Sequence, residues 1–438
     1  MNGVSDQIRP KIGFYPASNI VIANMIGAGI FTTSGLLMSG LDNPLLLIIL
    51  WFTGGIIALC GALAYAELGA AMPRAGGEYI FLANLYHPVV GFSSGWVSFV
   101  AGFSAPIAAS AIGFSEYIFR IFHGSPFAGK VLAVSIILLF TLIHLRGMRF
   151  GSKVQNLLTL LKIGLIILLI TTGILLGNGD TGHFRQGNNF SFDFNGLKTI
   201  GLSLMWIMFA YSGWNASTYI GSEIENPTRN IPHSLLFGTG VVMILYVLLN
   251  VVYVYAISPE EMKGVIAIGG LAVRNLFGNN MEIAFSLIIA FALFSSLSAY
   301  IILGPRVYYA MAADGYFFRF VSRTNPRTNA PAGAIILQSA IAMVMVITGT
   351  FDQILTYMGF ALGFFPILAV AGVFKLRKKL NKTGIPLHLP VYLLFTLIML
   401  ILSFLERPLE SSIALLTILS GLPVFYLFKK RSSKQHSI

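Results

Sequence analysis

Twelve long stretches of this chain are almost free of Asp, Glu, Lys and Arg: 12–41, 43–66, 79–115, 131–145, 154–179 (interrupted only by Lys162), 199–222, 230–259, 283–305, 328–351, 353–374, 383–405 and 411–428. About 20 apolar residues of helix cross the roughly 30 Å of hydrocarbon in a bilayer, and most of these runs reach that length. Of the 438 residues, 56% are hydrophobic and only 10% charged, against about 25% charged in a soluble domain. A water-soluble fold of this length cannot hide so much apolar surface. The pattern excludes an ordinary cytosolic enzyme, a disordered chain and a secreted disulfide scaffold. It predicts an all-α membrane protein with twelve transmembrane helices and no soluble domain. The run 131–145 is short, and 79–115 is long enough to hold an interfacial helix before its crossing.

An even number of crossings puts both termini on one side. With the termini inside, the inner segments carry 20 Lys and Arg and the outer segments 7, with Lys162 left within a span. That asymmetry predicts cytoplasmic N- and C-termini in a multi-pass cell-membrane protein. It also accounts for the net charge of +12, so no nucleic-acid partner is expected. No cleavable leader is expected, because the N-terminus is polar and no small-residue cleavage site follows the first apolar run. Cys60 is the single cysteine and can close no internal disulfide. The segment 180–198 reads as an exposed outer loop. The segment 258–280 carries Val265, Ile266, Leu271, Val273 and Leu276, a pattern for an amphipathic helix on the outer surface.

Two of the runs are interrupted. The first contains Asn24-Met25-Ile26-Gly27-Ala28-Gly29-Ile30-Phe31, and the sixth Phe209-Ala210-Tyr211-Ser212-Gly213-Trp214-Asn215-Ala216-Ser217. Each glycine costs a helix about 1 kcal/mol and lets the backbone unwind. Unwound backbone within a bilayer is tolerated only where it faces protein, water or ligand. Small residues in membrane helices also serve close packing. The spacing of five spans between the breaks favours a binding site built by two inverted five-helix repeats, at about 12–179 and 197–375, with two further helices at about 383–430.

The break residues carry a resemblance. Gly27-Ala28-Gly29-Ile30-Phe31, Ala66-Glu67-Leu68-Gly69 with Pro73-Arg74-Ala75-Gly76-Gly77-Glu78-Tyr79, Phe209-Ala210-Tyr211-Ser212-Gly213-Trp214-Asn215, Glu223-Ile224-Glu225-Asn226-Pro227-Thr228-Arg229-Asn230-Ile231-Pro232 and Leu422-Pro423-Val424-Phe425-Tyr426 occur in order. Over residues 12–430 the chain resembles the L-type amino acid transporter family, especially its bacterial members, within the amino acid–polyamine–organocation superfamily. The resemblance implies sodium-independent exchange of amino acids by alternating access, with no cofactor. Eukaryotic members are tethered to a heavy chain through a Cys between spans 3 and 4. The segment Arg120 to Lys130 has none, so no disulfide-linked heavy chain is expected. Ala28 replaces the family's serine, which removes one hydroxyl beside the substrate carboxylate.

A free amino acid is a zwitterion, and both charges need partners at mid-membrane. The expected carboxylate site is the N–H groups of Ala28, Gly29 and Ile30 after Gly27, at the positive end of a half-helix, with Thr32 and Thr33 nearby. The expected ammonium site is the carbonyls of Ile26, Phe209, Ala210 and Ser212. Asn215 reads either as interhelical packing or as a contact to the amino group or span 1. The resemblance makes Phe209 an outer lid and places Lys162 where sodium-coupled relatives hold a cation. There it either holds span 1 against spans 5 and 8 or switches its charge. Lys162 lies eight residues beyond Val154, roughly 12 Å along a helix, so snorkelling to the interface is the alternative. Tyr211, Trp214, Ser295, Ser296 and Ser298 are further pocket candidates. Glu67, Arg74, Glu78, Glu223, Glu225 and Arg229 read as solvated residues or as an inner gate network, and Glu116 as solvated.

No acidic residue is expected to face the pocket, which favours small or medium neutral substrates. A proton-coupled symporter and a carrier of cationic amino acids or polyamines remain the alternatives. His144 and His388 sit near span ends without catalytic company, so no enzyme activity is expected. No metal site, pore loop or charged ring is visible, and no receptor-like region.

Overall fold

The computed structural model describes residues 12–146, 148–187, 190–318, 320–321, 323 and 331–433. Arg9, Lys11, Arg319, Arg327 and Lys434 of the inner charge tally lie outside the described residues, as do the side chains of Arg149, Lys153, Gln155, Lys430 and Arg431.

The first span is broken into α1 (Phe14–Met25) and α2 (Ala28–Leu41), and α3 (Pro44–Ala71) is the second. The short α4 (Glu78–Leu85) precedes a third span made of α5 (Pro88–Val97), a π-helical turn (Ser98–Phe103) and α6 (Ser104–Phe122). Then come α7 (Pro126–Leu145), α8 (Met148–Leu176) and α9 (Phe194–Ala210), which ends at the second break and is followed by a 3-10 segment (Ala216–Glu223). After α10 (Pro227–Ala256), the small helices α11 (Pro259–Met262) and α12 (Ile268–Phe277) lead to α13 (Asn279–Ala313). The chain closes with α14 (Ala332–Thr348), α15 (Phe351–Lys379), α16 (His388–Glu406) and α17 (Pro408–Ser433).

Local chemistry sets these boundaries. The side chains of Asn43 and Asp193 accept hydrogen bonds from the N–H groups of Leu46 and Gly196, starting α3 and α9. Thr350 and Gln353 form a reciprocal capping box at the start of α15. Proline occupies the first turn of α3, α5, α7 and α10, where a missing N–H costs nothing.

Among the described residues, ten helical stretches are long and apolar enough to cross a membrane. The sixth and ninth expected spans correspond to α9 and α14, each of 17 residues and shorter than the others. The short fourth run is a 20-residue helix. It starts at Pro126, where the Ser125 side chain accepts from the Ala128 N–H, and Lys130 in its first turns reaches out to the Ile347 carbonyl (2.7 Å) and does not end the helix. A short helix, α4, does precede the third crossing, and its residues Glu78–Leu82 are buried in the bundle.

Within the bundle α10 lies along α3, α13 along α6 and α14 along α7. Spans 2, 3 and 4 thus each pack on the span five places later. Trp51, Tyr211 and Tyr246 form a three-ring cluster, with Trp51 5.8 and 5.6 Å from the two tyrosine rings and the tyrosines 5.1 Å from each other. Leu160, Leu161, Ile167 and Leu168 of α8, and Leu394, Leu397 and Ile401 of α16, point outward and are exposed, which is the surface hydrocarbon covers. The helix expected in 258–280 is α12. Its apolar face is packed inward, with Ile268, Val273 and Leu276 buried, and the Gly269 N–H donates to the Tyr117 hydroxyl (3.0 Å).

Candidate functional site

The two breaks touch each other. Ile26 and Gly27 separate α1 from α2 in extended, non-helical backbone. Residues 211–215 turn between α9 and the 3-10 segment, with Gly213 at φ +95°. A Cβ on Gly29 would stand 2.5 Å from both Cα and Cβ of Ala210, and one on Gly213 would stand 2.8 Å from the Asn24 carbonyl carbon. Both positions therefore require glycine, Gly213 for its left-handed backbone as well. Interrupting a helix frees backbone acceptors, and α10 supplies a shared partner. The Tyr246 hydroxyl lies 2.6 Å from the Met25 carbonyl oxygen and 3.2 Å from that of Ala210. No side chain caps the start of α2.

Lys162 is fully buried, so it does not snorkel. Its ammonium donates to the carbonyls of Ala23 (3.2 Å) and Ile26 (2.5 Å) and to the Ser296 hydroxyl (3.2 Å). The Ser296 hydroxyl also lies 3.3 Å from the Ile26 carbonyl oxygen. One ammonium from α8 therefore joins the freed end of α1 to α13. A cation aimed at helix C-terminal carbonyls also meets the negative end of the α1 dipole.

A cavity of about 100 Å³ lies beside the breaks. Asn24, Phe209, Ser212, Asn215 and Tyr300 line it, with Glu78 at its wall. Phe209 is 4% exposed. The Asn215 amide donates to the Glu78 carboxyl (3.1 Å), and the Ser94 hydroxyl stands 3.5 Å from the other oxygen. Tyr65, Tyr219 and Tyr392 are the titratable groups that interact with this carboxyl. Among the described residues no ion pair includes Glu78. The α4 helix lies between the second and third spans, and its enclosure there pushes the Glu78 carboxyl up to about 7 through loss of hydration.

The structure rearranges several sequence expectations. An acidic residue does face the cavity: the glycines Gly76 and Gly77, both at positive φ, turn the chain inward so that Glu78 enters the bundle and does not stay at the rim. The Ile26 carbonyl is already held by Lys162. The Phe209 carbonyl accepts from the Ser212 N–H (2.9 Å) and the Ala210 carbonyl faces Tyr246. Gly27, Ala28, Gly29 and Ile30 are not among the residues that line the cavity; Gly27 packs against Tyr300 and Gly29 against Ala210. The Thr32 hydroxyl is turned onto its own helix, donating to the Ala28 carbonyl (2.7 Å), whereas the buried Thr33 hydroxyl has no partner among the described residues.

Among the other candidates, Tyr211 donates to the Trp51 carbonyl (3.0 Å), away from the cavity, and Ser298 meets His144 (3.0 Å). Ser295 is buried on α13. Trp214 lines the cavity and packs edge-on against Tyr65. The six residues read as one inner network are separate. Glu67 binds Arg377 (2.8 Å), Glu223 faces Arg306 (3.6 Å), and Arg74, Glu225 and Arg229 are exposed. Glu116 is exposed, as expected. Sequence reasoning missed Tyr246, Tyr300 and Asn24 as partners of the breaks. Asn24 stood inside the first motif, but nothing local marks the two tyrosines among 17.

Two interrupted helices in mutual contact beside a partly enclosed cavity that carries polar groups in its wall, inside an apolar bundle, define a membrane transport protein of the broken-helix class. The amino acid permease family model matches residues 12–422, and the chain belongs to that family. It is 28% identical over 432 residues to the human cystine/glutamate transporter, covering 96% of this chain and 86% of that protein. It is 29% identical over 436 residues to the human b(0,+)-type amino acid transporter 1, covering 96% and 88%. With the human large neutral amino acids transporter small subunit 2 the identity is 27% over 431 residues, covering 96% and 80%.

Proposed function

We propose that the protein is a sodium-independent amino acid transporter that exchanges small or medium neutral amino acids across the cell membrane by alternating access. The observation that carries this reading is the pair of broken helices in mutual contact beside the cavity, held by Lys162 and Tyr246. The uncapped start of α2 offers N–H groups and a positive dipole end to a carboxylate. The chain around Phe209, Ser212 and Asn215 faces the amino group. The narrow cavity supports a small side chain. Lys162 supplies a fixed cation at the end of α1, so the break needs no sodium ion to hold its carbonyls. Phe209 is the lid over the substrate. The pairing of spans 2, 3 and 4 with spans 7, 8 and 9 supports two inverted repeats, with α9 and α14 crossing as the remaining spans and both termini cytoplasmic.

Purified protein in liposomes provides the test. Uptake of labelled alanine or serine, without sodium or proton gradients, should require unlabelled amino acid inside. Uptake indifferent to internal amino acid would replace exchange by uniport. A second reading, proton-coupled transport, is favoured by one observation, the carboxyl of Glu78 at the cavity wall. Uptake only under a proton gradient would establish that reading.

A further inference from the structure

At the end of the bundle where α3 and α15 finish, a cleft of about 550 Å³ opens between the end of α3, α4 and the last turns of α15. Three cations converge on it. Lys375 and Lys379 stand one turn apart on one face of α15, and Arg74 comes across from the loop after α3. Among the described residues no carboxylate lines the cleft. The nearby carboxylate of Glu67 is engaged elsewhere, by Arg377 (2.8 Å) and Lys382 (3.8 Å). Among the described residues, none of the three cations belongs to an ion pair.

The cleft is also built. The Lys375 ammonium lies 3.8 Å over the Tyr86 ring, and the Tyr86 hydroxyl donates to the Leu368 carbonyl (2.8 Å). The ring under the ammonium is thus fixed to α15 itself. Three like charges sharing one opening repel each other, and an anion placed among them removes that repulsion as well as gaining three attractive contacts. Apolar Leu85, Leu376 and Leu380 also line it, with Leu380 49% exposed. A charged cleft continuous with the apolar exterior, at the end of the spans, suits a ligand that is anionic at one end and hydrocarbon at the other.

We infer that this cleft is a headgroup site for an anionic phospholipid, whose phosphate is held by Arg74, Lys375 and Lys379. Arg74 lies four residues before Glu78, on the segment that carries the inner wall of the cavity. A phosphate bridging Arg74 to α15 therefore ties that segment to a neighbouring span.

The test compares lipid retention by wild type and by the variant R74Q/K375Q/K379Q. Both are purified from nanodiscs containing phosphatidylcholine and phosphatidylglycerol, and bound lipid is counted by native mass spectrometry. Wild type should retain phosphatidylglycerol in preference, and the triple variant should retain it roughly tenfold less. K378Q, which neutralises an exposed cation of the same helix outside the cleft, should behave as wild type. Equal retention by the triple variant and wild type would overturn the inference. So would loss of bound phosphatidylglycerol from wild type on adding inorganic phosphate alone, which would mark a free-anion site. If the triple variant does not fold, R74Q alone must still lower the ratio of phosphatidylglycerol to phosphatidylcholine, and an unchanged ratio would overturn the inference.

Discussion

Replacing Lys162 by methionine keeps the length and removes the charge. In the native chain the ammonium holds the carbonyls of Ala23 and Ile26 and the Ser296 hydroxyl, at 3.2, 2.5 and 3.2 Å. A hydrogen bond from a charged donor contributes about 1.5–3 kcal/mol. The site is fully buried, so no water replaces the lost donor and two carbonyls of the first break are left without it. Removing the ammonium also removes the cost of burying it, so the net loss is smaller than three such bonds. A loss of about 2 kcal/mol in the population of the ordered break corresponds to roughly 30-fold in rate. We therefore expect Lys162→Met to lower alanine exchange in proteoliposomes about 30-fold, with insertion and gel-filtration behaviour unchanged. Exchange within about twofold of wild type would refute the claim that this ammonium organises the break. Arginine is no substitute, because the enclosed site fits a compact ammonium and not a planar fork.

Three other perturbations probe the same geometry. Gly29→Ala places a methyl 2.5 Å from Ala210. The overpacking costs about 1–3 kcal/mol, and substrate exchange should fall at least about fivefold, measured by the same uptake assay. Tyr246→Phe removes the hydroxyl shared by Met25 and Ala210. A net loss of about 1 kcal/mol predicts a roughly fivefold drop in exchange, and thermal stability should fall with it. For Glu78 the sign follows from the enclosure that raises its carboxyl from 4.5 to about 7. The enclosed state is favoured when the carboxyl is protonated, and that advantage is lost progressively as pH rises from 4.5 to about 7. Wild-type exchange at equal pH on both sides should slow across that window. Glu78→Gln, which can still accept from Asn215, should show a flat profile, and a slope like that of wild type would remove Glu78 from the cycle.

The parts of the structure that were legible in the sequence are those governed by short-range rules. The apolar runs gave the helices because each run must satisfy its own backbone in hydrocarbon. The two breaks were legible because glycines within apolar runs are costly. Lys162 stood out because a basic residue deep in a span needs partners, and its partners are indeed the carbonyls that the first break frees. The shortness of the expected fourth span has a similar local origin. Counting Lys130 as an end ignored that a long side chain in the first turns can reach a neighbouring carbonyl.

Residues that close the site from a distance left no such mark. Tyr246 is one of 17 tyrosines, and only the fold places its hydroxyl between two carbonyls 185 positions apart in sequence, at Met25 and Ala210. Glu78 misled for a different reason: its neighbours in sequence are those of a rim, while Gly76 and Gly77 turn it inward. That turn has a mechanical consequence. Asn215 belongs to the second break, and Glu78 opens the short helix α4, so their 3.1 Å contact couples the unwound part of span 6 to the segment between spans 2 and 3. Lys162 and Tyr246 hold the first break from α8, α13 and α10. The first break is thus fixed to three long helices, while the second, which shares Tyr246 of α10 and reaches α3 through Tyr211, is tied in addition to an eight-residue helix outside the spans. In this arrangement opening on the α4 side requires parting the Glu78–Asn215 contact and leaves the Lys162 cluster intact. Labels placed on α4 and on the 3-10 segment should therefore separate when substrate is released to that side, while labels on α8 and α1 keep their distance. Separation of the second pair first would reverse this order of events.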